Sequence, residues 1–186
     1  MSSTIANVSQ ASTTATKNIP GIAVRKTITV DVPQAYAFSV FTEHFGLWWP
    51  LATHKIGKQE AVTAVIEPKR GGRWLERSSD GTECDWGRVQ VWEPPRRLVL
   101  TWEVSANWQW DSAIQTEVEV TFVADGPDRT TVHLEHRQLE DYGEQAEMMR
   151  SAFNSEGGWS GILQRFANAA TSAELGQEVP CPSDHE

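Results

Sequence analysis

The stretch "GGRWLERSSDGTECDWGRVQVWEPPRRLVLTW" (residues 71–102) holds three alternating runs separated by two turn signals. "GRWLER" (72–77) and "CDWGRVQVWE" (84–93) flank "SSDGTE" (78–83), whose Asp80-Gly81 pair is the strongest short hairpin cue in the chain. "PPRR" (94–97) then turns the chain into "LVLTWEV" (98–104). Period two puts Leu98, Leu100 and Trp102 on one face of the last run, and makes Trp74 and Glu76 share a face of the first. Strands joined by turns this short are antiparallel neighbours in a meander.

Working outward, "AVTAVIE" (61–67) precedes this core and "PKRGG" (68–72) joins them. On the other side, "IQTEVEVTFVA" (114–124) sets Ile114, Val118, Val120 and Phe122 against Gln115, Glu117, Glu119 and Thr121. "DGPDR" (125–129) leads to "TTVHLEHRQL" (130–139), where Val132, Leu134 and His136 share one face and Glu135 and Arg137 the other. The chain opens with another alternating run, "IAVRKTITVDVP" (22–33), with Ile22, Val24, Ile28, Val30 and Val32 on one face.

Asp31 reads as a helix start, with Pro33 tolerated in the first turn and Phe38 and Phe41 facing inward, before Gly46 and Pro50 break the pattern. Near the end, "GEQAEMMRSAF" (143–153) is a helical lead-in to "GWSGILQRFANAA" (158–170). There Trp159, Ile162, Leu163, Phe166 and Ala170 form an amphipathic stripe. The predicted order is one strand, short helices, six antiparallel strands and a long C-terminal helix. That is an α+β domain in which the helix covers one face of a curved sheet and leaves room for a cavity between them.

The 186 residues suit one domain over 22–171, with a disordered leader at 1–21 and an acidic flexible tail at 172–186. A net charge of −9 and the lack of a basic run argue against nucleic acid as a partner. The N-terminus does not follow the pattern of a secretory signal, and no apolar run approaches the ~20 residues needed to span a bilayer. The expectation is a cytoplasmic protein without membrane insertion, with Cys84 and Cys181 as free thiols rather than a disulfide framework.

The central stretch, together with "TEVEVTFVADGPDRTTVHLEHRQLEDYG" (116–143) and "GGWSGILQRFANAA" (157–170), resembles the activator of heat-shock protein 90 ATPase homologue-like family. That family lies in the START-related, or SRPBCC, superfamily, and the likeness spans about residues 22–171. The resemblance implies a helix-grip fold, a seven-stranded antiparallel sheet gripping a C-terminal helix, with a cavity for lipids, sterols, polyketides or other hydrophobic molecules. It also implies a link to the stress response through the co-chaperone that names the family, whose separate N-terminal domain has no counterpart here.

Nine tryptophans in 186 residues, against two tyrosines and six phenylalanines, are more than a small core ordinarily uses. Broad apolar faces carrying one N–H donor suit a flat or elongated apolar ligand. The candidate ligand-binding residues are Phe45, Trp48, Trp49, Trp74, Glu76, Trp86, Trp102, Trp110, His136 and Trp159. Trp48 and Trp49 sit where the short helices meet the sheet, one an anchor and the other free to contact what enters. His136 is either a satisfied core residue or a polar ligand contact, and Glu76 is a candidate partner for His136, Arg73 or Arg77. No metal-ligand spacing, phosphate loop, dinucleotide fingerprint or nucleophile motif occurs, so neither cofactor nor metal is expected.

Three functions remain open: binding of a small hydrophobic molecule; a co-chaperone-like domain contacting a chaperone or other protein; and a cyclase- or hydrolase-like enzyme using His136 and Glu76.

Overall fold

A computed structural model describes residues 21–172. The readings of a disordered leader and an acidic tail, and Cys181 with them, fall almost wholly outside this range. The strands are β1 (Val24–Val30), β2 (Ala61–Ile66), β3 (Arg73–Ser78), β4 (Glu83–Glu93), β5 (Arg97–Trp102), β6 (Thr116–Ala124) and β7 (Thr130–Arg137). They form one antiparallel sheet in the order β1-β7-β6-β5-β4-β3-β2. Strands β2 to β7 are the predicted meander, and β1 returns to the far edge beside β7.

Register carries the predicted alternation across the sheet. Leu98 lies opposite Val120 and Leu100 opposite Val118, while Val118 lies opposite His136, Val120 opposite Leu134 and Phe122 opposite Val132. All of these are buried, so the inner face here is apolar apart from His136. The outer face is a ladder of charges, in which Arg97 donates to Glu119 at 2.6 Å and Arg137 donates to Glu117 at 2.9 Å and also to Glu119. Such half-exposed pairs contribute about 0–1 kcal/mol each. They keep the outer face wet and leave the inner face to do the packing.

Two register shifts bend the middle of the sheet, one between Trp74 and Leu75 and one between Val89 and Val91. An extra residue on one strand sharpens local twist, which curls the sheet toward its apolar face. Gly87 lies between the two shifts. A Cβ there would sit 1.9 Å from the Thr101 carbonyl oxygen, so only glycine permits β4 to approach β5 this closely.

The helical layer differs from its sequence reading in two places. Helix α1 (Gln34–Thr42) begins after Pro33, whose carbonyl accepts from Ala37 N–H at 2.9 Å, and no side chain caps it. Asp31 is thus not its start. A short helix α2 (Phe45–Trp48) follows. The single long C-terminal helix with its lead-in is instead a 3₁₀ segment (Leu139–Gln145), α3 (Ala146–Asn154), a wide π-type turn (Glu156–Ser160) and α4 (Gly161–Thr171). Ser155 is extended and Gly158 is non-helical. A Cβ on Gly158 would meet the Phe153 carbonyl oxygen at 2.4 Å, so the kink depends on this glycine. The sheet grips α4, whose Ile162, Leu163, Phe166 and Ala170 are buried as the stripe predicted.

Candidate functional site

The space between sheet and helices is filled largely by rings. At one end Phe38, Phe41, Trp48, Phe122 and Phe166 interlock, with Phe41–Phe166 centroids 5.2 Å apart and Phe41–Trp48 5.0 Å apart. At the other end Phe45, Trp49, Trp74, Trp86, Trp102 and Trp159 continue the array, with Trp49–Trp86 and Trp74–Trp102 both at 5.2 Å. Mutual edge-to-face and tilted contacts of this kind add about 0.5–1.5 kcal/mol per pair beyond the area they bury. At this second end a cleft opens between the rings, the loop after α2 and the kink after α3.

The cleft has two lobes of about 290 Å³ each. Trp86 and Ile56 line the first, and Trp49, Phe153, Trp159 and Ile162 line the second. Trp102, His54 and Trp108 line both. His54 belongs to the loop after α2 and reaches the kink after α3, its Nε2 lying 2.7 Å from the Gly157 carbonyl oxygen. Because a carbonyl only accepts, Nε2 carries the proton, and Nδ1 takes the Thr53 hydroxyl at 2.7 Å. Trp49 braces the same loop by donating its indole N–H to the His54 carbonyl at 2.8 Å.

Beneath the first lobe, Glu76 is wholly buried. Its carboxylate accepts from three N–H groups: Ile56 at 2.9 Å, Gly57 at 2.6 Å and the Trp86 indole at 2.9 Å. The expected pairing of Glu76 with His136, Arg73 or Arg77 does not form. Arg73 donates to Glu67 and Glu83, and Arg77 to Glu83, on the opposite side of the strand. Glu76 instead holds the loop whose Ile56 walls the cleft. Gly57 is required there, since a Cβ would lie 2.5 Å from Glu76 Oε1 and 3.1 Å from Cys84 Sγ. Burial, and then the charge of Glu76, push the Cys84 thiol pKa up, so Cys84 is a poor nucleophile.

His136 is also fully buried. The Trp159 indole donates to its Nδ1 at 3.1 Å, and its Nε2 lies 2.8 Å from the Thr116 hydroxyl. An indole can only donate, so Nδ1 accepts, Nε2 carries the proton, and the Thr116 hydroxyl passes its own proton toward the Trp102 carbonyl at 3.3 Å. Desolvation pushes the His136 pKa down to about 3, which keeps the ring neutral. His136 is thus a satisfied core group that ties the helical layer to the sheet, not an acid, a base or a wall of the cleft. Tyr142 adds a second tie, donating to the Val104 carbonyl at 2.7 Å, and burial raises its pKa.

Of the candidates from sequence, Trp49, Trp86, Trp102 and Trp159 reach the cleft. Phe45, Trp48 and Trp74 are core, and Trp48 is the anchor of its pair, donating to the Val40 carbonyl at 2.9 Å. Trp110 lies outside the cleft lining, half exposed, with its N–H on Glu103 at 3.1 Å. Several lining residues escaped the sequence reading, among them the aromatic side chains of His54, Phe153 and Trp108 and the aliphatic Ile56. The tryptophan two places before Trp110 was the available signal, but spacing does not tell which of the pair turns inward. Among the described residues no group of three or more His, Cys, Asp or Glu side chains is arranged to hold a metal ion.

Residues 31–171 match the family model described as activator of Hsp90 ATPase homolog 1-like protein. The chain belongs to this family. Among solved structures it is similar to the anthrahydroquino-γ-pyrone synthase Txn09, with 37% identity over 81% of this chain and 97% of that one and a TM-score of 0.56. It is also similar to CalC from Micromonospora echinospora, a self-sacrificing resistance protein, with 30% identity, 84% and 97% coverage and a TM-score of 0.59. A protein from Arthrobacter aurescens, 14% identical with a TM-score of 0.57, shares the fold. Comparison with curated proteins gave no match.

Proposed function

We propose that this helix-grip domain binds a planar aromatic or polyketide-like molecule in the two-lobed cleft. The observation that carries this reading is the lining: four buried indoles, Trp49, Trp86, Trp102 and Trp159, converge on a space rimmed by only a few polar groups, those of Thr53, His54, Lys55 and Ser155. The name of one relative, an anthrahydroquino-γ-pyrone synthase 37% identical to this chain, supports the same ligand class. The buried titratable groups do not support a His136–Glu76 proton-transfer pair, because each is consumed by separate partners. The reading is of a cytoplasmic binding domain over residues 22–171. No helix among the described residues is long and apolar enough to cross a membrane.

The test is native mass spectrometry of the gently purified protein, followed by titration with 1,8-dihydroxyanthraquinone while tryptophan emission is recorded. Saturable quenching with one molecule per chain is expected. A clean unliganded mass and no quenching by aromatic or lipid probes would overturn the reading. That outcome would favour a protein-partner domain, supported among the described residues by the exposed apolar side chains of Leu47 on α2, Val62 on edge strand β2 and Trp110.

A further inference from the structure

Three side chains are shared by both lobes, and they are held very differently. Trp102 is 7% exposed and wedged among Trp74, Trp86, Phe153 and Trp159. His54 is pinned through both ring nitrogens. Trp108 is 47% exposed and has, among the described residues, a single ring neighbour, Phe153, edge-on at 6.2 Å. No hydrogen bond to its indole N–H occurs among the described residues. Its ring is presented to the cleft from a left-handed backbone: Trp108 adopts φ +56°, in a turn closed by its N–H on the Ser105 carbonyl at 2.9 Å. A bulky residue is rarely found in this left-handed region, and such outliers gather at ligand clamps and switches. Two residues on, Trp110 has no such backbone and turns outward to Glu103.

We infer that Trp108 is a movable partition that sets the length of ligand the cleft accepts. With the indole inward the cleft is two compartments, each near the lower end of the ~300–1,000 Å³ typical of small-molecule pockets. With the indole swung out they become one trough over Trp102, running from Ile56 to Trp159. The ligand class that calls for such a trough is an elongated planar system of about four fused rings, whereas a two-ring molecule occupies one lobe and leaves Trp108 in place. This inference rests on the aromatic-ligand reading above and specifies its ligand.

Because the trough exists only when Trp108 is displaced, the wild type binds a long ligand with an affinity reduced by the fraction of molecules in that state. The test compares 1-naphthol with doxorubicin, a four-ring planar chromophore, on the wild type, Trp108→Ala and Trp110→Ala, by calorimetry and stopped-flow fluorescence. In Trp108→Ala, doxorubicin is expected to bind about tenfold tighter with a faster on-rate as the displacement cost disappears. 1-Naphthol is expected to weaken no more than about threefold through loss of one wall, and Trp110→Ala to shift neither. Equal melting temperatures for all three proteins establish that the comparison concerns the cleft. If Trp108→Ala weakens both probes alike, Trp108 is an ordinary wall and the partition is overturned. If the wild type and Trp108→Ala bind neither probe, the aromatic-ligand reading itself has failed.

Discussion

Glu76 on β3 and His136 on β7 are both wholly buried, and each accepts a hydrogen bond from an indole, Trp86 for one and Trp159 for the other. Their remaining partners differ in kind. His136 is completed by Thr116 on the neighbouring strand, so it joins the sheet to the helical layer. Glu76 is completed by two successive backbone N–H groups, at Ile56 and Gly57, so it joins the sheet to a loop. A buried side chain tied to regular elements is one of many supports for the same packing. One tied to loop backbone holds a segment whose N–H groups no helix or ladder satisfies. The first arrangement secures the fold, and the second shapes the cleft.

The strongest way to break this comparison is Glu76→Ala. It orphans two backbone donors and an indole donor at once, at an expected cost of about 3–4 kcal/mol. Urea denaturation measures the loss, and hydrogen exchange at Ile56 and Gly57 should accelerate well beyond the rest of the chain. Uniform acceleration would place Glu76 with His136 as a general support.

Next in size is the pH dependence of His136. Its folded pKa of about 3 lies below the ordinary 6.5, so between these values the unfolded chain binds the extra proton. The stability due to this group is fully present above pH 6.5 and is lost as pH falls from 6.5 toward 3. His136→Gln cannot titrate, so its stability should fall more gently than the wild type's, by about 2 kcal/mol between pH 7 and pH 5. Parallel urea midpoints for the two proteins across this range would contradict the neutral, buried assignment.

Gly57→Ala sharpens the loop side of the comparison. Its Cβ would lie 2.5 Å from Glu76 Oε1, which predicts a loss of about 1–2 kcal/mol with Glu76 intact. The cost should shrink in a Glu76→Ala background, a coupling that a double-mutant cycle reads. The smallest effect is expected for Trp110→Ala. A half-exposed indole outside the cleft should change stability by less than about 0.5 kcal/mol by thermal unfolding.

Much of this architecture was legible. The Asp80-Gly81 turn and the runs on either side of it placed β3, β4 and β5, and the alternation in 114–124 and 130–139 placed β6 and β7 with the correct inner face. The burial of His136 followed from its face-mates Val132 and Leu134. The break in the C-terminal helix was signalled by Gly157, Gly158 and Gly161, but the helical stripe runs through them, and only the Gly158 backbone reveals the kink. Glu76 was legible as buried but not as the loop's tie, since its partners are main-chain groups that no side-chain pattern marks.

The sequence by itself determined the order of elements, the strand faces and the family, because alternation, turn chemistry and motif order are local properties of the chain. Which tryptophans meet a ligand was decided only in three dimensions. Trp108 lines the cleft from a turn in which it adopts φ +56°, whereas Trp110 lies outside the lining with its N–H on Glu103. Trp49, Trp102 and Trp159 share a wall because sheet, loop and kinked helices bring together positions far apart in the chain, with the His54–Gly157 contact closing the rim. Contacts of that range depend on register, bulges and the path of the backbone, and no window of the sequence encodes them.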